Sequence, residues 1–460
     1  MASEPVDIDS IDETLNEGYF PQWAFGDDSV HALEEERIFS RTWNYIGHET
    51  EIPEPGDYAV RYIVDDPLIF VRAEDGDVNV FFNSCRHRGV KLCETDSGNT
   101  SHFRCPYHGW TYRNTGELVG VPQKPNVYPG LDEADWGLFE LPRVESYKGF
   151  VFASIEEDVP DLEDYVGEDF KEYIDIYYDT TEQGIEVIGK PWRWTGDYNW
   201  KAGVENTASD SYHGPVAHAS ADDAGVLRGF SQHVERYGRR LVDTDGPTSG
   251  MFTVADPDEF EREDIFWNWP PEVTDNLSSD LDTYQKDLFK RTTFANFMLF
   301  PNLTFVHVDG VRSPDSKPYP FPFIRLHRPV GPDETEIWLW ATAPKEAPQE
   351  TKEKAYQTLQ ATFSPSGNII PDDIASWSKL TNPASSTIAK KHDLPLNAQM
   401  GREDISGTLE IAEDWEGPGV AGDDLISEIG IRRFHRMWYN ALSEEDVEDI
   451  SWQVDLEEVQ

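Results

Sequence analysis

Hydrophobic positions along the chain change period several times, and each change marks a different kind of structure. Over residues 29–43, Val30, Leu33, Ile38 and Phe39 recur near helical spacing behind Ser29, a residue able to cap, which predicts a helix. The apolar runs then shorten to strand length over 58–64, 67–73 and 77–83, with Asp75-Gly76 as a hairpin turn between the last two. Glycine and proline punctuate the chain to about residue 130, the texture of a small all-β unit. Leu162, Val166, Phe170 and Ile174 outline an amphipathic helix on acidic ground. Apolar strands over 297–307, 321–327 and 336–343 and a helix near 350–363 follow, without the regular β-α alternation of a doubly wound sheet. Residues 414–424, rich in glycine and acids, read as a surface loop. The expected fold class is α+β. Its expected stretches are a helical segment 1–43, an all-β unit 44–155, and a unit mixing strands and helices over 156–460.

Composition narrows this picture. Among 460 residues, 38 Lys and Arg face 88 Asp and Glu, a formal charge of −50. With 15 Trp, 24 Phe and 19 Tyr the chain is too aromatic for a disordered acidic tail. The charge argues against binding nucleic acid or an anionic membrane through a broad basic face. It points to a surface adapted to high salt, where a Debye length of roughly 3 Å at 1 M screens self-repulsion. No run of 18 apolar residues is present, and the acidic start lacks the pattern of a secretory signal, so a cytoplasmic location is expected. Three cysteines do not make a disulfide framework. Nucleotide-binding glycine motifs and the G-x-S-x-G nucleophile turn are absent.

Two of the three cysteines sit in one constellation, Cys85-Arg86-His87 and, after seventeen residues, Cys105-Pro106-Tyr107-His108. Two thiolates and two imidazoles suit zinc or a Rieske [2Fe–2S] centre, in which two His replace two Cys on one iron. Zinc fingers place a Cys pair and a His pair on separate elements, whereas here each loop offers one of each. A glycine closes each loop, Gly89 and Gly109, and is expected to let backbone N–H groups approach the sulfurs. Cys93 has no partner and reads as a buried structural thiol. A second cluster lies in Asn199–His218, where Asp210 and His213 are three apart and would share a helix face. His213 and His218 are about 140° apart on a straight helix, but Gly214-Pro215 breaks it and lets His218 fold back. Two such histidines need a carboxylate to complete a 2-His-1-carboxylate Fe(II) site.

The segments C-R-H-R-G, C-P-Y-H-G-W and N-W-K…E-N…D-x-x-H-x4-H resemble those of Rieske non-haem iron aromatic-ring-hydroxylating dioxygenase large (α) subunits. The likeness runs from about His31 to Trp377. It implies an all-β Rieske [2Fe–2S] domain, an antiparallel-sheet catalytic domain with helices of helix-grip type, and packing of the segment 1–43 on that catalytic domain. It also implies a cluster on Cys85, His87, Cys105 and His108, and a mononuclear Fe(II) on His213 and His218. The family's third ligand follows a T-F-x-x-x-G pattern, here Thr362 to Gly367, which selects Asp373, with Asp372 as the fallback. By the same likeness Asp210 is the bridging carboxylate between His213 and a Rieske His of a neighbouring subunit, and Asn206 is a polar residue near the iron. Respiratory Rieske proteins carry an extra disulfide where this chain has Val90 and Tyr107, so the cluster resembles the oxygenase or ferredoxin kind. Phe294, Phe297, Phe300 and Phe363 read as core, and His48, His102, His233 and His307 as structural or surface residues.

The implied activity is that of a terminal oxygenase component that uses O₂ and external electrons to cis-dihydroxylate an aromatic small molecule. The alternatives are a monooxygenase or demethylase acting on an aromatic acid or alkylamine, an electron-transfer protein with an inactive second site, and a zinc-stabilised binding module. The implied partners are a separate reductase, with or without a ferredoxin, and a small β subunit of the sort that often accompanies such chains. The implied assembly is a homotrimer or a trimer of αβ pairs.

Overall fold

A computed structural model describes residues 8–226, 238–254, 269–313, 319–402, 412, 415–422 and 426–453. Two compact units emerge: Phe39–Leu162, and a discontinuous one made of Met1–Ile38 with Glu163–Gln460.

The first unit is built of small antiparallel sheets. Val78–Phe82, Asp66–Arg72, Asp57–Ile63 and Ser97–Asn99 lie side by side in that order, each of the first three within one residue of its expected bounds. The Asp75-Gly76 turn forms because Gly76 takes φ +96°, which an L side chain resists. His102–Arg104, Thr111–Arg113 and Leu118–Gly120 make a second sheet, and Arg143–Tyr147, Phe150–Ser154 and Asn44–His48 a third.

The expected helix over 29–43 is shorter. It runs Asp28–Glu34 and ends in one wide turn, Glu35–Phe39. Asp27 rather than Ser29 caps it, its carboxylate accepting the Ser29 N–H at 2.8 Å. The Asn44 side-chain amide stops the helix by donating to the Phe39 and Thr42 carbonyls at 2.8 and 3.0 Å. An earlier helix, Asp9–Asn16, has no counterpart in the expectation; Arg436 ties it to the helix Ile429–Ser443 through Asp12 and Asn16.

The second unit holds an antiparallel sheet whose main path runs Ile185–Val187, Glu334–Pro344, Phe323–Gly331, Leu303–Gly310, Thr292–Leu299, Thr248–Val254, Gly238–Val242, Val420–Gly422. What reads as one apolar strand over 297–307 is a hairpin, Thr292–Leu299 and Leu303–Gly310. Pro301 cannot donate to a ladder, and the chain turns there. The amphipathic segment after Leu162 breaks at Gly167, φ +79°, into Leu162–Val166 and Glu168–Tyr178. Within the expected loop at 414–424, Val420–Gly422 is a strand paired with Gly238–Val242; Asp414, Asp423 and Asp424 lie outside the described residues.

Strand alternation gives the sheet two buried faces. Phe297, Phe305 and His307 point toward Glu168–Tyr178, where they meet the Tyr173, Tyr178 and Tyr177 rings at 4.9, 5.2 and 5.2 Å. The alternate residues, among them Asn296, Thr304, Val306 and Arg325, lie under the helix Trp200–Ala208, and Arg325 donates to Thr207 at 3.0 Å. The phenylalanine stripe of the sequence therefore divides. Phe297 packs on the tyrosines, whereas Phe294 joins Phe321, Phe323 and Phe363 on the other side.

The Trp200–Ala208 helix is held by a fully buried ion pair. Glu34 accepts from the Lys201 ammonium and from the indole N–H groups of Trp200 and Trp438 at 2.9 and 2.7 Å. Both charged side chains have 0% exposure, and the ammonium sits over the rings of Trp200, Trp438 and Phe25. Lys201→Met is expected to destabilise the fold by about 3–5 kcal/mol, because it strands a buried carboxylate. Denaturant unfolding in molar salt should show the loss, with Lys201→Met/Glu34→Gln recovering part of it.

Candidate metal centres

The two Cys-and-His loops of the all-β unit are copies of one turn. In the first, Gly89 N–H donates to the Cys85 carbonyl at 2.8 Å and Cys85 N–H to Val90 at 2.9 Å. In the second, Gly109 N–H donates to Cys105 at 3.0 Å and Cys105 N–H to Trp110 at 2.8 Å. Gly89 and Gly109 have φ +68° and +75°. Each closes its turn onto its own cysteine carbonyl, and in the first loop the His87 backbone N–H approaches the Cys85 sulfur. The thiols of Cys85 and Cys105 are buried and unbridged, and the His87 and His108 rings lie 4.5 Å apart. Nδ1 of His87 is buried without a hydrogen-bond partner among the described residues, as a nitrogen reserved for a metal would be. Two thiols and two imidazoles converging this way fit a [2Fe–2S] group of mixed ligation.

Aromatic residues hold this site, and the motif alone does not point to them. Trp110 stacks on His87 at 4.8 Å and 6°. The Tyr112 hydroxyl lies 3.3 Å from Cys85 Sγ and accepts the Arg86 N–H at 3.1 Å. Tyr128 reaches the outer nitrogen of His87 at 3.2 Å. Cys93 packs in the same core, its thiol pushed up to about 12 by burial.

In the sheet unit, the helix Trp200–Ala208 ends before Asp210, so Asp210 and His213 share a turn instead of a helix face. The Asp210 carboxylate accepts the His213 N–H at 3.2 Å, and the Asp210 carbonyl lies 2.6 Å from His213 Nδ1. That contact fixes the ring and leaves Nε2 turned toward Asp373, 3.5 Å away. Pro215 opens the four-residue helix Gly214–Ala217, which brings His218 Nε2 to 3.1 Å from the same carboxylate oxygen. Asp372 and Asp373 lie in the first turn of Ile370–Thr381; Asp373 is 4% exposed and Asp372 42%, which separates the two candidates. Ligand atoms of His213, His218 and Asp373 all fall within 4.8 Å of one another. Asp373 Oδ1 and His218 Nδ1 are buried without hydrogen-bond partners among the described residues. The donor set and its unmet oxygen fit a divalent iron. Asn206 Nδ2 lies 3.2 Å from His213 Nε2.

Burial works against a charged His213, but the hydrogen bond and charge of Asp210, with the charge of Asp373, outweigh it and push the imidazole up to about 9. Arg325, invisible to motif reading, adds a positive charge nearby. It is buried on the sheet with its guanidinium over Trp377 at 5.8 Å, and its field acts on Asp373. The remaining acidic trio, Asp169, Asp243 and Asp245, is engaged with backbone, Asp245 accepting the Glu168 and Asp169 N–H groups. His307 is walled in by Tyr177, Phe289 and Trp269, and burial pushes it down to about 3. His233 lies outside the described residues.

A family model of the Rieske [2Fe-2S] domain matches residues 42–147, and one of the ring hydroxylating alpha subunit (catalytic domain) matches residues 168–444. The chain belongs to the ring-hydroxylating α-subunit family. It is a Rieske non-haem iron oxygenase whose cofactors are a [2Fe–2S] cluster and a mononuclear iron. It is 32% identical to the α subunit of an N,N-dimethyl phenylurea N-demethylase from Sphingobium sp. (strain YBL2), over 94% of each chain. It is 32% identical to the α subunit of biphenyl 2,3-dioxygenase from Rhodococcus jostii (strain RHA1), over 92% of this chain and 88% of that one. Naphthalene 1,2-dioxygenase from Rhodococcus sp., solved with indole bound, superposes with a TM-score of 0.89 at 36% identity, covering 95% of this chain and 99% of the other. Among the described residues no helix is long and apolar enough to cross a membrane.

The two neighbouring acids should separate cleanly. Asp373→Asn is expected to leave the cluster's EPR signal intact while metal analysis loses the mononuclear iron, and Asp372→Asn to retain it.

Proposed function

We propose that this oxygenase is the terminal component of a multicomponent enzyme that adds both atoms of O₂ to an aromatic ring, giving a cis-dihydrodiol. The observation that carries the reading is the convergence of His213, His218 and Asp373. The likeness to naphthalene and biphenyl dioxygenases supports the same class.

In this reading Cys85, His87, Cys105 and His108 hold the cluster, and His213, His218 and Asp373 hold the iron. Once bound, these groups supply one-electron relay and the activation of O₂. The chain's own residues do the positioning. Asp210 holds His213 through its carbonyl and carboxylate and links it to a Rieske His of a neighbouring subunit; Asn206 stays beside the same ring. No general acid on the protein is required.

Asp210 is flanked by exposed Tyr212, Val216 and Ile426, at 62%, 81% and 37%, which supports burial of this rim against another copy in a trimer or a trimer of αβ pairs. A separate reductase, with or without a ferredoxin, supplies electrons, and in the form built of αβ pairs a small β subunit completes the assembly. The setting is a cytoplasm of high salt, for which the charge of −50 is the support. A second reading, oxidative N-demethylation, is favoured by one observation, the 32% identity to a phenylurea N-demethylase α subunit.

A single turnover of the chemically reduced, metal-loaded protein with naphthalene under ¹⁸O₂ decides between them. A diol carrying two labelled atoms is expected; one labelled atom, or formaldehyde released from a dimethylphenylurea, would transfer the chain to the second reading. Because His213 is protonated below about 9 in the metal-free site and must be neutral to bind a metal, Fe(II) affinity should rise with pH toward that value. Calorimetry at pH 7 in buffers of different ionisation heat should register about one proton released per iron.

A further inference from the structure

One positive charge is buried near the iron ligands without a carboxylate bound to it. Arg325 belongs to the strand Phe323–Gly331 and is 3% exposed. Its Nη2 donates to the Thr207 hydroxyl at 3.0 Å, and its Nε is buried without a hydrogen-bond partner among the described residues. No ion pair among those residues includes it. A guanidinium so thinly compensated is costly to keep inside a protein.

Its two anchors are the helices that carry the iron site. Thr207 follows Asn206 and stands three residues before Asp210, and Trp377, whose ring faces the guanidinium at 5.8 Å, lies one turn after Asp373. Burial lowers the pKa of Arg325, and the charge of Asp373, then that of Tyr198, works against it. The other polar groups nearby bring no countercharge. Burial, and after it the field of Arg325, pushes the His327 imidazole well down, so that ring is neutral. Its Nδ1 lies 2.9 Å from the Tyr198 hydroxyl, which burial pushes up and keeps protonated.

Filling the site changes what the arginine faces. A bound metal takes the Asp373 carboxylate as a ligand, and the guanidinium is then opposed to a cation. Like charges repel more strongly where water is excluded, and the repulsion grows with the charge of the metal, so a ferric ion is disfavoured more than a ferrous one.

We propose that Arg325 is a positioning residue of the mononuclear site whose fixed charge raises the Fe(III)/Fe(II) potential there, favouring transfer of an electron from a [2Fe–2S] cluster to the iron; this rests on His213, His218 and Asp373 being the iron ligands. In that exchange the cluster is oxidised by one electron and the iron reduced by one, with no bond made or broken.

The test uses the full-length protein loaded with cluster and iron in molar salt, titrated with redox mediators and followed by the EPR signal of the high-spin ferric site. Arg325→Gln is expected to lower the midpoint by the equivalent of about a tenfold change in the oxidised-to-reduced ratio, about 59 mV for one electron. Arg325→Lys, which keeps the charge, should bring the midpoint back close to that of the parent. If Arg325→Gln does not fold, Arg325→Met, equally uncharged, is read in its place. An unmoved midpoint in the uncharged variant overturns the proposal. So does an equal drop in Arg325→Lys, which would assign the effect to side-chain shape and not to charge. A parent protein that takes up no mononuclear iron would instead sink the ligand assignment, so the two failures are told apart.

Discussion

The catalytic unit hangs on a carboxylate and an ammonium that never meet water. Glu34 and Lys201 join the N-terminal segment, the helix Trp200–Ala208 and the C-terminal helix Ile429–Ser443, the last through the Trp438 indole. A buried pair is weak evidence of stability, since desolvation offsets much of the attraction. Its value here is geometric. Two indoles and an ammonium saturate one carboxylate, so the helix has one rotation about its axis that leaves nothing unmet. That rotation sets Asn206, and the turn beyond the helix sets Asp210 and His213. Further contacts point the same way: Asn199 N–H donates to Thr381 at 2.9 Å and Arg325 to Thr207 at 3.0 Å. Thr381 ends the helix whose first turn carries Asp373.

The charge around the iron ligands is arranged asymmetrically. Asp373 faces two imidazoles on one side and the field of Arg325 on the other. The guanidinium is held by the Thr207 hydroxyl and the Trp377 ring. Asp210, half-exposed, supplies the opposing negative charge to His213.

Much of this was legible from residue order, and the exceptions have physical causes. The cluster ligands are local: each loop is a five-residue turn, and a turn's chemistry is written in its own residues. His213 and His218 were legible for the same reason, because Pro215 announces the break that lets them converge. The closeness of Asp210 to His213 was foreseen for the wrong reason, since a helix and a turn both bring residues three apart together. Asp372 and Asp373 are indistinguishable as letters and differ only once Pro371 starts a helix and one of them turns inward. Arg325 lay beyond reach: its partner Thr207 is 118 residues away, and an arginine inside an apolar strand announces its face only when the sheet is assembled. The hairpin at Phe300-Pro301-Asn302 was signalled only by Pro301 and Asn302, and the apolar runs on either side masked it.

The all-β unit, Phe39–Leu162, interrupts the other between Ile38 and Glu163. That arrangement imposes an order of events on biosynthesis. The cluster loops and their supporting aromatics are complete once the ribosome has released about a third of the chain, and a domain of this size can fold as it emerges. The iron ligands cannot assemble so early. Asp373 arrives 160 residues after His213, and Glu34, made at the start of synthesis, finds Trp438 only near its end. The cell can therefore load the iron–sulfur group into a finished unit while the mononuclear site does not yet exist, which keeps the O₂-reacting metal out until its protein cage is built.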